Sequence, residues 1–339
     1  MKNGLEDIAK LAGVSKSTVS RVINNQPNVN EKTRERVMEI IREVNFRPNK
    51  AARALVTQHT RVLSVVIPQP LAATFTDPYF PMLLQSITTA AAQRDYALML
   101  WIGDNAEEEE RFSERILSNS FFDGVLIASV VDNDPLVKRL RNAGFPYVLI
   151  GPAQKGITHY VDVDNRSAAC DAVRHLIALK HQRIGIITGM MNMGAAQHRL
   201  QGYKDALEEA GMPIEEALIV AGDYEEVKSY SAMQTLITRG VDAVFCTSDV
   251  MALGALRAIA DTGLRVPHDI GVVGFDGMPF AETSNPPLTT MRQPISLLGE
   301  TATEMLIRLI EEQPLEHEHL LLPAVLEVRQ SSGAFEHAG

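Results

Sequence analysis

Apolar positions in the first 45 residues recur at helical spacing: Leu5, Ile8, Ala9 and Ala12, then Val19, Val22 and Ile23, then Val37, Ile40, Ile41 and Val44. Gly13 stops the first of these patterns, Ser15 stands where it can cap a second helix over about 16–24, and Asn30 caps a third over about 31–44. Three short helices with a glycine in the first turn predict a helix-turn-helix. Phe46-Arg47-Pro48 breaks the pattern, and 49–56 supplies two further turns of helix-favouring sequence behind an Asn cap. Nucleation costs more than so few hydrogen bonds return, so this segment is expected to order only against a partner or DNA. Residues 58–60 form a polar joint.

From Val62 the texture changes. Short β-branched runs (VLSVVI, ALMLWI, GVLIAS) alternate with amphipathic helices over about 81–94 and after Asp104. A second set begins near Ser167: a helix to Lys180, RIGIIT, a helix after Arg199, LIVAG, a helix after Val227, AVFCT, a helix after Val250, and IGVVGFD. This βαβ rhythm predicts an α/β fold of largely parallel, doubly wound sheets. Some ten such units exceed one compact sheet, so two similar lobes are expected, with a ligand cleft beyond the carboxyl ends of their strands.

Charge sharpens the division. The net charge of −10 conceals a basic head, in which residues 1–61 hold 12 Lys/Arg against 6 Asp/Glu, and a body that holds 20 against 36. That asymmetry fits a head that meets a polyanion and a body that is repelled by one. The opening MKNGLEDIAK lacks an apolar signal core, and no stretch reaches the ~18 uncharged apolar residues of a membrane span. A cytoplasmic location without a membrane partner is therefore expected. Cys170 and Cys246 lie in apolar runs and read as buried structural thiols. The run Glu107 to Glu110 reads as the solvated first turn of a helix.

No nucleophile elbow, phosphate loop, zinc-protease motif or dinucleotide fingerprint is present. His317 and His319 lack partners at metal-ligand spacing, and no cofactor or metal is expected. Asp162 and Asp164 of YVDVDN, with Asp276 of GFD, could be imagined as an acid/base pair, but nothing accompanies them as nucleophile or metal set. The residues therefore give no positive case for an enzyme.

The head "LEDIAKLAGVSKSTVSRVINNQPNVNEKTRERVMEIIREVNFRPNKAARAL" resembles the helix-turn-helix and hinge of the LacI/GalR family of bacterial transcription regulators over its whole length. "TSDVMALGALRAIADTGLRVPHDIGVVGFDG" and "NPPLTTMRQPISLLGETATEML" are similar to segments of that family's effector-binding core, a fold shared with periplasmic sugar-binding proteins. The resemblance implies a helix-turn-helix domain over 1–48, a hinge helix and linker over 49–60, and a two-lobed core over 61–339. The first lobe would take about 61–164 and 292–322, the second about 165–291 and 323–339.

It further implies that Lys16, Ser17 and Arg21 read bases in the major groove, while Ser15, Ser20, Thr33 and Arg34 contact phosphates. Leu55 matches the hinge leucine that wedges into the minor groove, with Ala52 beside it. Effector contacts map onto Tyr79, Phe80, Arg199, Tyr224, Ser248, Asp249 and Asp276. Read on their own, Phe80 also suits a core position and Asp249 a cap for the following helix. The implied partners are palindromic operator DNA, a second copy of the chain, and a small effector, a sugar foremost and a nucleobase or other metabolite as the alternative. Gly4 departs from the family's capping hydroxyl, Ser248 stands where some members have Asn, and Met190, Met191 and Met193 form an unusual cluster suited to core filling or to a pocket wall. The terminal QSSGAFEHAG has no leucine heptad, which favours a dimer over a coiled-coil tetramer.

Overall fold

A computed structural model of the chain describes residues 4–23, 27–46, 59–68, 75–103, 121–128, 131–153 and 156–334. Ala52 and Leu55 of the expected hinge, the helix expected after Asp104 and the Glu107 to Glu110 run lie outside those residues. The chain divides into two compact units, Met1–Thr60 and Arg61–Gly339.

In the smaller unit, α1 (Leu5–Ala12), α2 (Lys16–Ile23) and α3 (Glu31–Glu43) follow the apolar stripes. Gly13 ends α1 in the left-handed region at φ +62°, where a Cβ would be strained, and the Val14 N–H closes the turn on Ala9 O at 3.0 Å. Ser15 Oγ accepts from Thr18 N at 3.1 Å and so starts α2; Asn30 Oδ1 accepts from Lys32 N at 3.0 Å and starts α3. Gly4 offers no capping side chain, but the Asp7 carboxylate accepts its N–H at 2.8 Å, the reciprocal half of a capping box. Ile8, Ala9, Ala12, Val19, Val22 and Val37 meet in one core.

The larger unit holds two six-stranded sheets. One contains β1 (Val62–Ile67), β2 (Ala97–Ile102), β3 (Gly124–Ala128), β4 (Tyr147–Ile150), β5 (Tyr160–Val163) and β11 (His319–Leu322), in the order β11-β5-β4-β3-β1-β2. The other contains β6 (Ile184–Thr188), β7 (Ile219–Ala221), β8 (Ala243–Cys246), β9 (Gly271–Asp276), β10 (Thr289–Arg292) and β12 (Val325–Glu327), in the order β12-β10-β9-β8-β6-β7. All pairings are parallel except the edge pair β10 and β12. The chain passes between the sheets after Val163, after Arg292 and after Leu322.

The described helices of this unit are α4 (Tyr79–Gln93), α5 (Pro135–Ala143), α6 (Asn165–Ala178), α7 (Gly194–Glu209), α8 (Glu226–Thr238), α9 (Asp249–Asp261) and α10 (Ile295–Ile310). Helices α6, α8 and α9 begin within about two residues of the sequence expectation, and two other starts also differ from it. Helix α4 begins at Tyr79, before Pro81, because a proline in the first turn removes an N–H that has no helical partner anyway. Helix α7 begins at Gly194, because Arg199 is a polar residue on its buried face and interrupts the apolar stripe that would have marked the start. Cys170 and Cys246 are buried and unbridged. His319 stacks on Tyr160 with ring centroids 5.0 Å apart, a packing role. Among the described residues no helix is long and apolar enough to cross a membrane.

Candidate functional site

In each sheet the strand order reverses, between β1 and β3 and between β6 and β8, and helices leave the carboxyl ends of the strands. A cavity of about 560 Å³ lies at those ends. Asp162 stands near the end of β5 and Asp276 closes β9; Gln293 follows β10, Met190 β6, Tyr224 β7 and Ser248 β8, and all six line the cavity. Its size suits a small organic ligand, for which pockets run from roughly 300 to 1,000 Å³.

Arg199, 5% exposed, is the one cation among the described lining residues. Its Nε donates to Asn165 Oδ1 at 2.7 Å and its Nη1 to Thr247 O at 2.6 Å, and the guanidinium lies 3.7 Å from the Phe275 ring centroid. Asp276 Oδ1 stands 3.6 Å from Nη1, beyond hydrogen-bond reach, and accepts instead from Gln293 Nε2 at 2.6 Å. Asn165 is the link to the other lobe's acid. Its Nδ2 donates to Asp162 Oδ1 and Oδ2 at 3.2 and 3.1 Å while its Oδ1 receives Arg199, which fixes the orientation of the amide.

Burial governs the electrostatics. Desolvation pushes Asp162 up to about 7, against hydrogen bonding and the pull of Arg199, and holds Asp276 well above the usual carboxylate range. It also raises Asp77, whose Oδ1 accepts from Tyr79 N at 2.9 Å, and raises the phenols of Tyr79 and Tyr224, which remain neutral donors. Tyr79 and Phe80 meet edge to face at 5.3 Å.

The Tyr224 wall depends on Gly189. Asp223 and Tyr224 are both left-handed, at φ +52° and +61°, and a Cβ on Gly189 would lie 2.1 Å from Tyr224 Cζ. Across the cleft mouth, Val131 and Met193 form an isolated antiparallel bridge. The Asp132 N–H donates to Asn192 O at 2.9 Å, and Gln197 Nε2 donates to Asp132 Oδ2 at 2.7 Å, so a loop after β3 is tied to the start of α7.

Of the residues implied by resemblance, Tyr79, Phe80, Arg199, Tyr224, Ser248 and Asp276 line the cavity. Phe80 is also part of the first lobe's core. Asp249 does not line it: this fully buried residue accepts from Thr290 Oγ1 at 2.6 Å and from Met278 N at 2.7 Å, and so braces the turn after Asp276 from behind. Nor does it cap α9, since Ser248 Oγ accepts from Met251 N at 3.2 Å. Asp162, for which the sequence shows no accompanying nucleophile or metal set, is a lining residue, whereas Asp164 caps α6 through Ser167 N at 3.1 Å. Asp77, Asn165 and Gln293 were missed. Each lies at a strand's carboxyl end or the start of the following helix, and counting one to three residues past every strand would have found the last two.

In the smaller unit Lys16, Ser17 and Arg21 are exposed on α2, opposite buried Val19 and Val22. Lys16 Nζ pairs with Glu6 at 3.2 Å, an exposed contact of the kind worth about 0–1 kcal/mol that a phosphate or base can displace. Ser15 Oγ and Ser17 Oγ lie 2.8 Å apart. Thr33 and Arg34 are half-buried in the first turn of α3, and Ser20 is half-buried on α2.

A helix-turn-helix and a two-lobed cleft in one chain define a DNA-binding protein with a ligand-sensing core. Comparison with known proteins agrees. Residues 4–49 match "Bacterial regulatory proteins, lacI family" and residues 173–332 match "Periplasmic binding protein-like domain". The chain is 38% identical to the HTH-type transcriptional regulator CelR of Thermobifida fusca, over 96% of this chain and 97% of that protein. It is 36% identical to the HTH-type transcriptional repressor PurR of Yersinia pestis, over 89% of each. Among solved structures it superposes on a CelR–cellobiose complex (TM-score 0.77, 36% identity, 97% and 99% of the two chains). It also superposes on the lac repressor dimer bound to operator and the anti-inducer ONPF (TM-score 0.85, 28% identity, 98% and 99%). The chain belongs to the LacI family of transcriptional regulators, and its relatives are regulators rather than enzymes.

Proposed function

We infer that this chain is a cytoplasmic repressor that binds a palindromic operator as a homodimer and whose affinity for DNA is set by a sugar in the cavity. The observation that carries the reading is the buried group of Arg199, Asp276 and Asp162 beside aromatic rings at the carboxyl ends of the strands. Vicinal hydroxyls suit a carboxylate and guanidinium side by side, and the aliphatic face of a sugar ring suits Tyr79 and Tyr224. The cellobiose bound by the CelR relative supports the same class of ligand.

On the DNA side, Arg21 on the exposed face of α2 pairs with a guanine, Lys16 and Ser17 read neighbouring bases, and Ser15, Ser20, Thr33 and Arg34 hold phosphates. Ala52 and Leu55 form the minor-groove wedge. A ligand with different affinity for the two lobe arrangements shifts DNA affinity by that difference, and ~1–3 kcal/mol gives roughly 5- to 150-fold regulation.

The test is a thermal-shift screen of sugars and nucleobases on the full-length protein, repeated on Asp276→Asn and Arg199→Ala. A sugar that raises the melting temperature of the wild type and not of the variants is expected. Stabilisation by a nucleobase alone would replace the sugar reading, and a sugar shift unchanged in both variants would move the site elsewhere.

A further inference from the structure

The sign of the charge around the cavity restricts its ligand more closely than its shape does. Three inner carboxylates, Asp77, Asp162 and Asp276, face a single guanidinium among the described lining residues. The charge of Arg199 is already answered inside the site. Its Nε and Nη1 are already engaged by Asn165 and the Thr247 carbonyl, and Asp276 stands at 3.6 Å as its counter-ion.

The rim adds Asp132, Asp223, Glu225 and Glu226. Lys228, which does not line the cavity, bridges Asp223 and Glu225 at 3.0 and 2.8 Å, and Arg257 approaches Glu226 at 3.8 Å, so the outer acids are only partly balanced. Two helix starts add positive ends without a side-chain cap, that of α8, where Glu226 in the first turn answers it, and that of α7, where Gly194 and Ala195 line the cavity. Each dipole is equivalent to about half a charge. Asp132, held by Gln197 within the first turn of α7, already answers the second.

We propose that the effector is an uncharged, unphosphorylated sugar, and that the cavity rejects sugar phosphates and sugar acids because its one described lining cation is already matched by Asp276 and acids outnumber it both inside and at the rim. The inference rests on the sugar reading above and narrows it. An anion placed there would have to compete with Asp276 for Arg199, whereas hydroxyls meet a row of acceptors and neutral donors from Gln293 and the two tyrosines. A cavity of about 560 Å³ leaves room for two rings. The regulator therefore reads the sugar before any phosphoryl transfer, as it arrives by a transport or hydrolysis step that leaves it unmodified, and not the product of a kinase.

Isothermal titration of the full-length protein with cellobiose, maltose, trehalose and sucrose, each beside its monophosphate ester and its uronic acid, tests this. At least one neutral disaccharide is expected to bind, with its phosphate and uronate weaker by on the order of a hundredfold or more. At pH 8, above the Asp162 value of about 7, the paired substitution Asp77→Asn with Asp162→Asn should narrow that gap. If the pair fails to fold, the rim variant Asp223→Asn with Glu225→Gln should narrow it less, and raising the salt concentration on the wild type should do the same. A phosphate ester that binds as well as its parent sugar, or better, overturns the proposal and leaves the sugar reading standing. Binding of none of these while a nucleobase binds defeats both.

Discussion

The Arg199 guanidinium and the Asp276 carboxylate face each other across 3.6 Å in a buried site without a direct hydrogen bond, each turned toward another partner. A hydroxyl that approaches both from the cavity can accept from the guanidinium and donate to the carboxyl. Asp276→Asn keeps the shape and the Gln293 contact but replaces one of the two acceptor oxygens by a donor. It is expected to weaken effector binding by about 10- to 100-fold, the cost of one buried hydrogen bond left unmade, while leaving the melting temperature within a few degrees of the wild type. Titration calorimetry reads the first and a thermal scan the second; unchanged affinity would remove Asp276 from the site.

Gly189 and Tyr224 form a second pair. Gly189→Ala sets a methyl 2.1 Å from the Tyr224 ring, so the phenol must swing away and the cavity wall is lost. The variant should lose about 1–3 kcal/mol of stability to overpacking, together with most of its effector affinity. Adding Tyr224→Ala should restore stability in a denaturant titration but not binding, and additive losses across the double-mutant cycle would show that the two positions are independent.

Asp162 gives a pH signature. Its folded-state value of about 7 exceeds the ordinary 3.8 because burial penalises the charged form, so the folded state holds the proton more tightly than the unfolded chain does. The resulting stability is fully present below about pH 4 and is lost as pH rises toward 7, by a few kcal/mol in total. Comparing denaturant midpoints of wild type and Asp162→Asn across this window should give a difference that falls with rising pH and levels off above neutrality. A flat difference would mean that Asp162 is solvated.

The seam between the loop after β3 and the start of α7 predicts a kinetic effect. Gln197→Ala removes the side-chain tie to Asp132 at 2.7 Å but leaves the Asp132 to Asn192 backbone bond. Effector dissociation followed by stopped flow should accelerate about 3- to 10-fold, the equivalent of one ordinary hydrogen bond, with little change in association. A loss confined to the association rate would contradict a role for this contact in holding the cleft shut.

The head was legible in the sequence because its stripes, its left-handed Gly13 and its Ser15 and Asn30 caps are local signals. The βαβ rhythm of the core was legible for the same reason. The cavity was only partly so. Asp162 and Gln293 come from opposite ends of a sequence interval that the three crossings bring together, and no local pattern marks them. Asp249 misled because it is adjacent to Ser248, and one residue of helix rotation turned its carboxylate away from the cavity toward Thr290 and Met278.

The most direct test is operator affinity measured with and without effector. A palindromic duplex selected from a random pool is labelled and titrated by fluorescence anisotropy with wild type, Asp276→Asn and Arg21→Ala, with and without the disaccharide that binds most tightly in calorimetry. Wild type should shift by about 5- to 150-fold on adding the sugar, Asp276→Asn should bind the duplex equally well and shift little, and Arg21→Ala should lose preference for the selected site. Wild-type DNA affinity that stays the same with the cavity saturated would contradict the account.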